Sequence, residues 1–173
     1  MTKADIPFSN IFFGLGLIFI MRNFYDQYRG IYFNGEELSY YTDSLREKPS
    51  LLVSQKNSDY YQFQLSYSKS LFLIVYNGCS VILRDKIKLE KVNSLNTGDV
   101  VTLGYLSSTE DIVRATNEKV KAISLSSGGK SILTAEEVLK ADKKEKRKFY
   151  SIGAGLILCG FISLYLSKRG VQK

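Results

Sequence analysis

The chain contains no histidine and no tryptophan, and among its 173 residues only two are proline and two are cysteine. Histidine is the usual general base near neutral pH and the commonest side-chain ligand of transition metals. Its absence excludes serine–histidine and cysteine–histidine nucleophilic sites, as well as histidine-ligated zinc. We therefore predict a protein that is not an enzyme and that holds no metal or cofactor.

The two cysteines lie in segments of different character and do not form a disulfide framework. Cys159 lies in a long apolar run near the end of the chain, whereas Cys79 follows an Asn-Gly pair. We expect Cys79 to pack as a small apolar residue. Cysteine usage therefore gives no indication of the compartment.

Charge is missing from a long stretch, Phe149 to Ser167, between the basic run KKEKRK at 143–148 and Lys168-Arg169. As a helix this stretch covers about 28 Å, close to the hydrocarbon core of about 30 Å. A core helix of a soluble protein usually keeps a polar face, and this stretch has none. We predict a transmembrane helix at 149–167, a basic juxtamembrane helix at 134–148 before it and a tail at 168–173.

The chain begins with a weaker copy of this pattern, IPFSNIFFGLGLIFIM at 6–21. That run is short for a span, but the following RNFYDQY can extend the helix into the interface. A cleaved signal peptide is the alternative, although no small-x-small cleavage site follows the apolar run. We predict a tail at 1–5 and an uncleaved transmembrane helix at 6–28.

Small residues recur along both predicted spans and indicate where the two helices pack, because small side chains let backbones approach closely in lipid. Asn10 is the costliest polar group within the spans and should face protein. The predicted packing stripe consists of Asn10, Gly14, Ser151, Gly155, Cys159 and Ser163.

The net charge of +7 is concentrated beside the predicted spans, whereas the rest of the chain mixes both signs. This distribution argues against nucleic acid as a partner and favours contact with anionic lipid headgroups. The residues expected to make this contact are Lys143, Lys144, Lys146, Arg147 and Lys148. Eight cations on the loop side of the spans against four on the terminal side favour a cytoplasmic domain in the cell (inner) membrane. This rule weakens for loops longer than about 60 residues.

The region at 29–133 has the periodicity of strands. YQFQLSY at 61–67 alternates apolar and polar residues, and DKIKLEKV at 85–92 alternates again. Asn-Gly pairs in IYFNGEEL at 31–38 and LFLIVYNGCSVIL at 71–83 predict hairpins. We expect six to nine short strands, mainly antiparallel, in a small barrel or sandwich inserted between two transmembrane helices.

The second half of this region carries turn and capping signals. TGDVVTLGYL at 97–106 reads as a turn followed by a strand, and TEDIVRATNEKV at 109–120 fits either a short helix or a strand. SLSSGGKS at 124–131 approaches a phosphate-binding loop, but Ser124 replaces its first glycine and a Gly-Gly hairpin turn is the expected structure. Thr134 and Glu137 predict a capping box at the start of a helix.

Tyrosines crowd the first half of the domain, and tyrosine suits an interface because it combines a large contact area with a polar tip. The same residues also suit half-buried strand positions. We predict that Tyr40, Tyr41 and Tyr60 form an interaction surface.

The order span, small β domain, span, together with LNTGDVVTLGYL and the hairpin ISLSSGGKSIL, resembles a broad group of uncharacterised two-pass bacterial membrane proteins. That resemblance implies a non-enzymatic membrane protein and supplies no site residues. The leading hypothesis is a membrane-anchored interaction module with a protein partner of unknown identity. The alternatives are a small-molecule or lipid-binding barrel that senses or carries a ligand, and then an immunity-type membrane protein.

Overall fold

A computed structural model describes residues 8–28, 33–53, 59–110 and 118–170 of the chain. These residues fall into two compact units. One unit is the segment Phe33–Asp142, and the other combines the N-terminal helix with the C-terminal helix from Lys143 onward. The two units are described separately.

Two long helices open and close the described chain, α1 at Phe8–Tyr28 and α4 at Ala135–Gly170. Both are long and apolar enough to cross a membrane. Only 17% of the apolar window in α1 and 11% of that in α4 is buried, whereas a core helix of a soluble protein would be mostly buried. The expected pair of long apolar helices is therefore present.

A sheet of seven strands fills the Phe33–Asp142 unit. The strands in chain order are β1 Leu38–Ser44, β2 Ser50–Leu52, β3 Tyr60–Gln64, β4 Leu71–Ile74, β5 Val100–Leu106, β6 Lys119–Ser127 and β7 Lys130–Leu133. Two helices lie between β4 and β5, namely α2 Tyr76–Arg84 and α3 Lys86–Asn93, and a 3-10 turn at Ser107–Thr109 follows β5.

The strand order across the sheet is β1-β5-β6-β4-β3-β2, and β7 pairs with the second half of β6. All pairs are antiparallel except β4 with β6. An isolated bridge joins Leu45 to Leu65, just beyond the ends of β1 and β3. The domain is thus a mixed, mainly antiparallel sheet and not a closed barrel, which corrects the barrel among the expected architectures.

Three strand predictions are confirmed by the sheet. Residues Tyr61, Phe63 and Leu65 of the alternating segment are buried, although Tyr67 beyond the end of β3 is exposed. β5 follows the TGD turn, and Gly128 and Gly129 adopt positive φ angles of 57° and 73° between β6 and β7. The SSGGKS segment therefore runs from strand through turn to strand, and no helix follows it as a phosphate-binding loop requires.

Two segments expected to be strands are helices. The Asn77-Gly78 pair lies in the first turn of α2, where Gly78, Cys79 and Ile82 face the core. In α3 the carboxylate of Asp85 accepts hydrogen bonds from the backbone N–H groups of Ile87 and Lys88 at 3.0 and 3.2 Å. This cap satisfies donors that a helix start otherwise leaves unpaired, and it outweighs the two-residue alternation of DKIKLEKV.

The core of the unit lies between the sheet and the helices α2 and α3. Its fully buried side chains include those of Phe63, Phe72, Ile74, Ile82 and Leu103. Cys79 belongs to this core, as expected, and burial together with the negative charge of Asp59 raises the pKa of its thiol to about 11. Most of the segment 109–120, for which the sequence allows a short helix or a strand, lies outside the described residues, and Lys119 and Val120 at its end begin β6.

Candidate functional site

Tyr40 is the exposed aromatic residue on which the candidate site is built. It lies on β1 directly opposite Gly104 of β5, and 64% of its surface is exposed. A Cβ atom on Gly104 would lie 3.0 Å from Cε1 of Tyr40 and would overlap the hydroxyl of Ser124. Glycine at this position therefore lets the Tyr40 ring lie against the backbone of β5.

A groove of about 310 Å³ begins at this ring and crosses one face of the sheet towards β7. We call it the Tyr40 groove. Its polar lining consists of hydroxyl groups, those of Tyr40, Thr102, Ser124, Ser126, Ser131 and Thr134. No charged side chain of the described residues lines it. The volume lies at the lower end of the range for small-ligand sites, about 300 to 1,000 Å³.

Some of these hydroxyl groups are already engaged and others are open to a ligand. Thr102 shares a hydrogen bond of 2.8 Å with Thr42, and Thr134 accepts one of 3.2 Å from the backbone N–H of Glu137. Within the described part of the chain, the hydroxyls of Ser124, Ser126 and Ser131 form no hydrogen bond. Each can donate one bond and accept two, so the groove can hydrogen-bond an uncharged polar partner.

The structure separates the three tyrosines predicted to form one surface. Tyr41 points to the other face of β1, where it is half-buried and stacks on Phe72 with ring centroids 5.9 Å apart. Tyr60 is half-buried on β3 and does not line the groove. Tyr40 alone of the three lies at the groove, because neighbouring residues of a strand face opposite sides of the sheet.

A second polar cluster of the same unit is buried rather than open. Asp142 is 2% exposed and accepts hydrogen bonds from the backbone N–H of Phe33 and from the side-chain amide of Asn77. Burial lowers the pKa of Lys121, and the negative charges of Asp142 and Glu36 partly oppose this shift. The described residues contain no group of three or more His, Cys, Asp or Glu side chains able to hold a metal. We interpret this buried cluster as structural.

In the other unit, α1 and α4 approach each other at glycines. A Cβ atom on Gly16 would lie 2.7 Å from Cγ1 of Ile157, and one on Gly153 would lie 2.8 Å from Cγ1 of Ile20. A Cβ atom on Gly160 would lie 3.1 Å from the ring of Phe13, which also packs edge-on against Phe161. These contacts define the seam between the two helices.

Most members of the predicted packing stripe lie outside this seam. Gly14 and Gly155 have open space where a Cβ would stand, and Ser163 is half-buried. The exposed members are Asn10, Gly14, Ser151, Gly155 and Cys159. Four residues turn a helix through about 400°, so a four-residue repeat drifts about 40° per step, whereas a seven-residue repeat drifts only about 20°. Gly153 and Gly160 are seven residues apart, and so are the buried Ser9, Gly16 and Asn23 of α1.

The basic run at 143–148 begins the part of α4 that belongs to this unit. Four of its cations, Lys143, Lys144, Arg147 and Lys148, are exposed, whereas Lys146 is half-buried. The basic side chains of the run therefore differ in exposure, a difference that the sequence pattern did not predict.

Sequence reasoning found Tyr40 but not the groove beside it. Gly104 makes room for the Tyr40 ring at one end of the groove because the two residues are paired. The pairing joins two strands that are more than 50 residues apart in the sequence, so local sequence patterns do not reveal it. The sequence signal for the groove was the set of serines Ser124, Ser126 and Ser131, but this pattern was interpreted only as part of a hairpin. No protein-family model matches the chain, and no curated protein matches it.

Proposed function

We propose that the chain is a two-pass membrane protein whose Phe33–Asp142 unit is a non-enzymatic binding module. In this proposal α1 and α4 cross the cell membrane, and the Tyr40 groove is the contact surface for a partner protein. The domain lies on the cytoplasmic side, which the excess of cations on the loop side favours.

The observation that carries the proposal is the exposure of Tyr40 beside open hydroxyl groups. Tyr40 lies on β1, the edge strand of the sheet, where 64% of its surface is exposed and its ring lies against Gly104 of β5. Tyrosine is enriched among the residues that dominate binding energy at protein interfaces. An uncharged lining suits an interface core, where charged residues are depleted.

The absence of histidine and the surroundings of the remaining reactive groups support a non-enzymatic role. Cys79 is buried in the core, and its raised pKa keeps it in the thiol form near neutral pH. The charges of Asp142 and Glu36 act on the half-buried Lys121, and none of these three residues lines the groove. None of these groups is arranged to attack a substrate in the Tyr40 groove.

The test is purification of the tagged, natively expressed full chain in a gentle detergent, followed by identification of proteins that co-purify. Replacing a residue that dominates an interface costs 2 kcal/mol or more, roughly a thirtyfold loss of affinity. We therefore expect Tyr40→Ala to remove a stoichiometric partner. Tyr67→Ala is the matched control, because Tyr67 is 87% exposed and does not line the groove. Equal loss of the partner in both variants contradicts the assignment of the groove.

The alternative function is binding of a small uncharged molecule, which the volume of the groove favours. The same purification separates the two functions. A chain that carries a small molecule or a lipid and no protein partner, and that loses it in Tyr40→Ala, supports the alternative and overturns the leading proposal.

A further inference from the structure

The cations of the 143–148 run are distributed unevenly around α4. With about 100° between successive residues of a helix, positions 143, 144, 147 and 148 fall within an arc of about 140°. All four side chains in this arc are exposed. Glu145 and Lys146 fall outside it, and both are half-buried. We call Lys143, Lys144, Arg147 and Lys148 the cationic face.

Within the run 143–148, the arc of the helix that holds the cationic face contains no acidic residue. Lys143 and Arg147 are four residues apart, as are Lys144 and Lys148, and like charges at this spacing repel each other. Within the described residues the four cations form no ion pair. A solvated helix surface usually mixes both signs. We therefore expect an anion from outside the chain to neutralise the cationic face.

The position of the cationic face indicates which anion. Arg147 and Lys148 immediately precede Phe149, where the stretch without charge begins. Side chains that precede a span by one to six residues lie at the depth of lipid headgroups, and basic side chains there are attracted to anionic lipids.

We propose that the cationic face binds the phosphate groups of anionic lipids at the membrane surface, and that Lys146 takes no part in this binding. The proposal rests on the membrane insertion that is part of the proposed function. It is independent of the Tyr40 groove and of any partner protein. It also narrows the predicted headgroup contact from five basic residues to four.

The experiment uses the full chain in an uncharged detergent that lacks phosphate. Native mass spectrometry counts the lipids bound when phosphatidylglycerol or phosphatidylcholine with the same acyl chains is added. We expect a preference for phosphatidylglycerol that disappears when all four cations are replaced by glutamine. Each single replacement lowers the affinity roughly fivefold, the equivalent of about 1 kcal/mol per cation.

Two controls distinguish the cationic face from net charge. Lys146→Gln removes one charge from the same run and should leave the preference unchanged. A second variant replaces four exposed lysines of the other unit by glutamine and removes the same total charge: Lys86, Lys91, Lys119 and Lys130. Equal loss in either control overturns the proposal.

Two further outcomes also contradict it. Equal binding of both lipids would show that headgroup charge is not recognised. Displacement of phosphatidylglycerol by an equal concentration of soluble glycerol phosphate would show that free phosphate, not a lipid, is the ligand. Failure of membrane insertion is detected separately, because alkaline carbonate then releases the chain from cell membranes.

Discussion

The backbone N–H of Phe33 donates a hydrogen bond to the carboxylate of Asp142, which joins the first and last residues of the sheet-containing unit. The other carboxylate oxygen accepts a hydrogen bond of 2.7 Å from the amide of Asn77 on α2. Both ends of the unit are thereby tied to one buried side chain. Hydrogen bonds to a charged group contribute about 1.5 to 3 kcal/mol each.

We predict that Asp142→Ala destabilises this unit by at least about 2 kcal/mol, since it leaves the buried N–H of Phe33 without its acceptor. The measurement is the rate of limited proteolysis within 33–142, compared with that of the natural chain. Glu136→Ala is the matched control, because Glu136 is an exposed carboxylate on the same helix. Equal proteolysis of the two variants contradicts the prediction.

The ion pair between Lys88 and Glu137 predicts a dependence of stability on pH. Nζ of Lys88 lies 2.7 and 2.8 Å from the two carboxylate oxygens and donates to the carbonyl of Ile132 at 2.9 Å. Partial burial alone would raise the pKa of Glu137, but hydrogen bonds from Lys88 and Thr134 and the charge of Lys88 outweigh it, so this pKa is lowered. The pair therefore stabilises the fold above the ordinary pKa of about 4.3, and this contribution is lost as the pH falls through the lowered value.

Glu137→Gln should consequently lower the melting temperature near pH 7 and flatten its decrease between about pH 5 and pH 3. Thermal melts at successive pH values measure this. Glu90→Gln serves for comparison, because the Lys86–Glu90 pair is solvent-exposed with its charges 3.9 Å apart. Exposed pairs of this kind contribute little, so the comparison variant should melt like the natural chain. If the melting temperature of Glu137→Gln decreased between about pH 5 and pH 3 as steeply as that of the natural chain, the prediction would be refuted.

Asn23 carries a buried amide group, and among the described residues neither its oxygen nor its nitrogen has a hydrogen-bond partner. An unsatisfied buried polar group costs about 1 to 3 kcal/mol. We predict that Asn23→Leu raises the melting temperature of the chain in detergent. Asn10→Leu makes the same change at an exposed position of the same helix and should have little effect. A lower melting temperature for Asn23→Leu would mean that the amide does have a partner in the membrane-embedded protein.

Local signals in the sequence predicted those parts of the fold that local chemistry determines. The alternation at 61–65, the Gly128-Gly129 turn and the capping box of Thr134 with Glu137 all appear in the structure. The sequence failed where tertiary packing decided between helix and strand. Asn77-Gly78 fits a hairpin turn, but the buried positions of Gly78, Cys79 and Ile82 require a helix against the sheet.

The candidate site was predictable only in part, for the same reason. Composition and run length identified the basic cluster, yet they gave no sign that Lys146 is half-buried while the other four cations of the run are exposed. Tyr40 was identified by its residue type, whereas its seat on Gly104 requires the register of β1 with β5. The seam between α1 and α4 uses residues seven apart, such as Gly153 and Gly160, whereas the more frequent small residues in the sequence are spaced four apart.

The two cysteines provide a test of membrane insertion. Cys159 is exposed on α4, so only a surrounding bilayer can shield it, whereas Cys79 is shielded by the core of the other unit. The variant Cys79→Ala keeps only the thiol of Cys159, and Cys159→Ala keeps only that of Cys79. In sealed proteoliposomes we expect a charged maleimide to label neither variant. An apolar maleimide should label Cys159 alone, and chaotropic unfolding should expose Cys79, since its raised pKa and burial both suppress reaction in the folded state. Rapid labelling of Cys159 by the charged reagent would rule out a span at 149–167.

The seat of Tyr40 on Gly104 gives the sharpest test of the groove. In Gly104→Ala, the new methyl group would approach the Tyr40 ring to about 3.0 Å and would overlap the Ser124 hydroxyl, so the ring must move. The hydroxyl can rotate at little cost, whereas the ring must shift by a few tenths of an ångström from its position against β5. We expect recovery of the co-purified partner to fall at least tenfold, while resistance of the unit to proteolysis changes little. The double variant Gly104→Ala with Tyr40→Ala should bind no more weakly than Tyr40→Ala alone, because both changes remove the same interaction. Additive losses would instead mean that Gly104 contributes to binding independently of Tyr40. The partner would then contact the groove at Ser124 on β6 rather than at the Tyr40 ring.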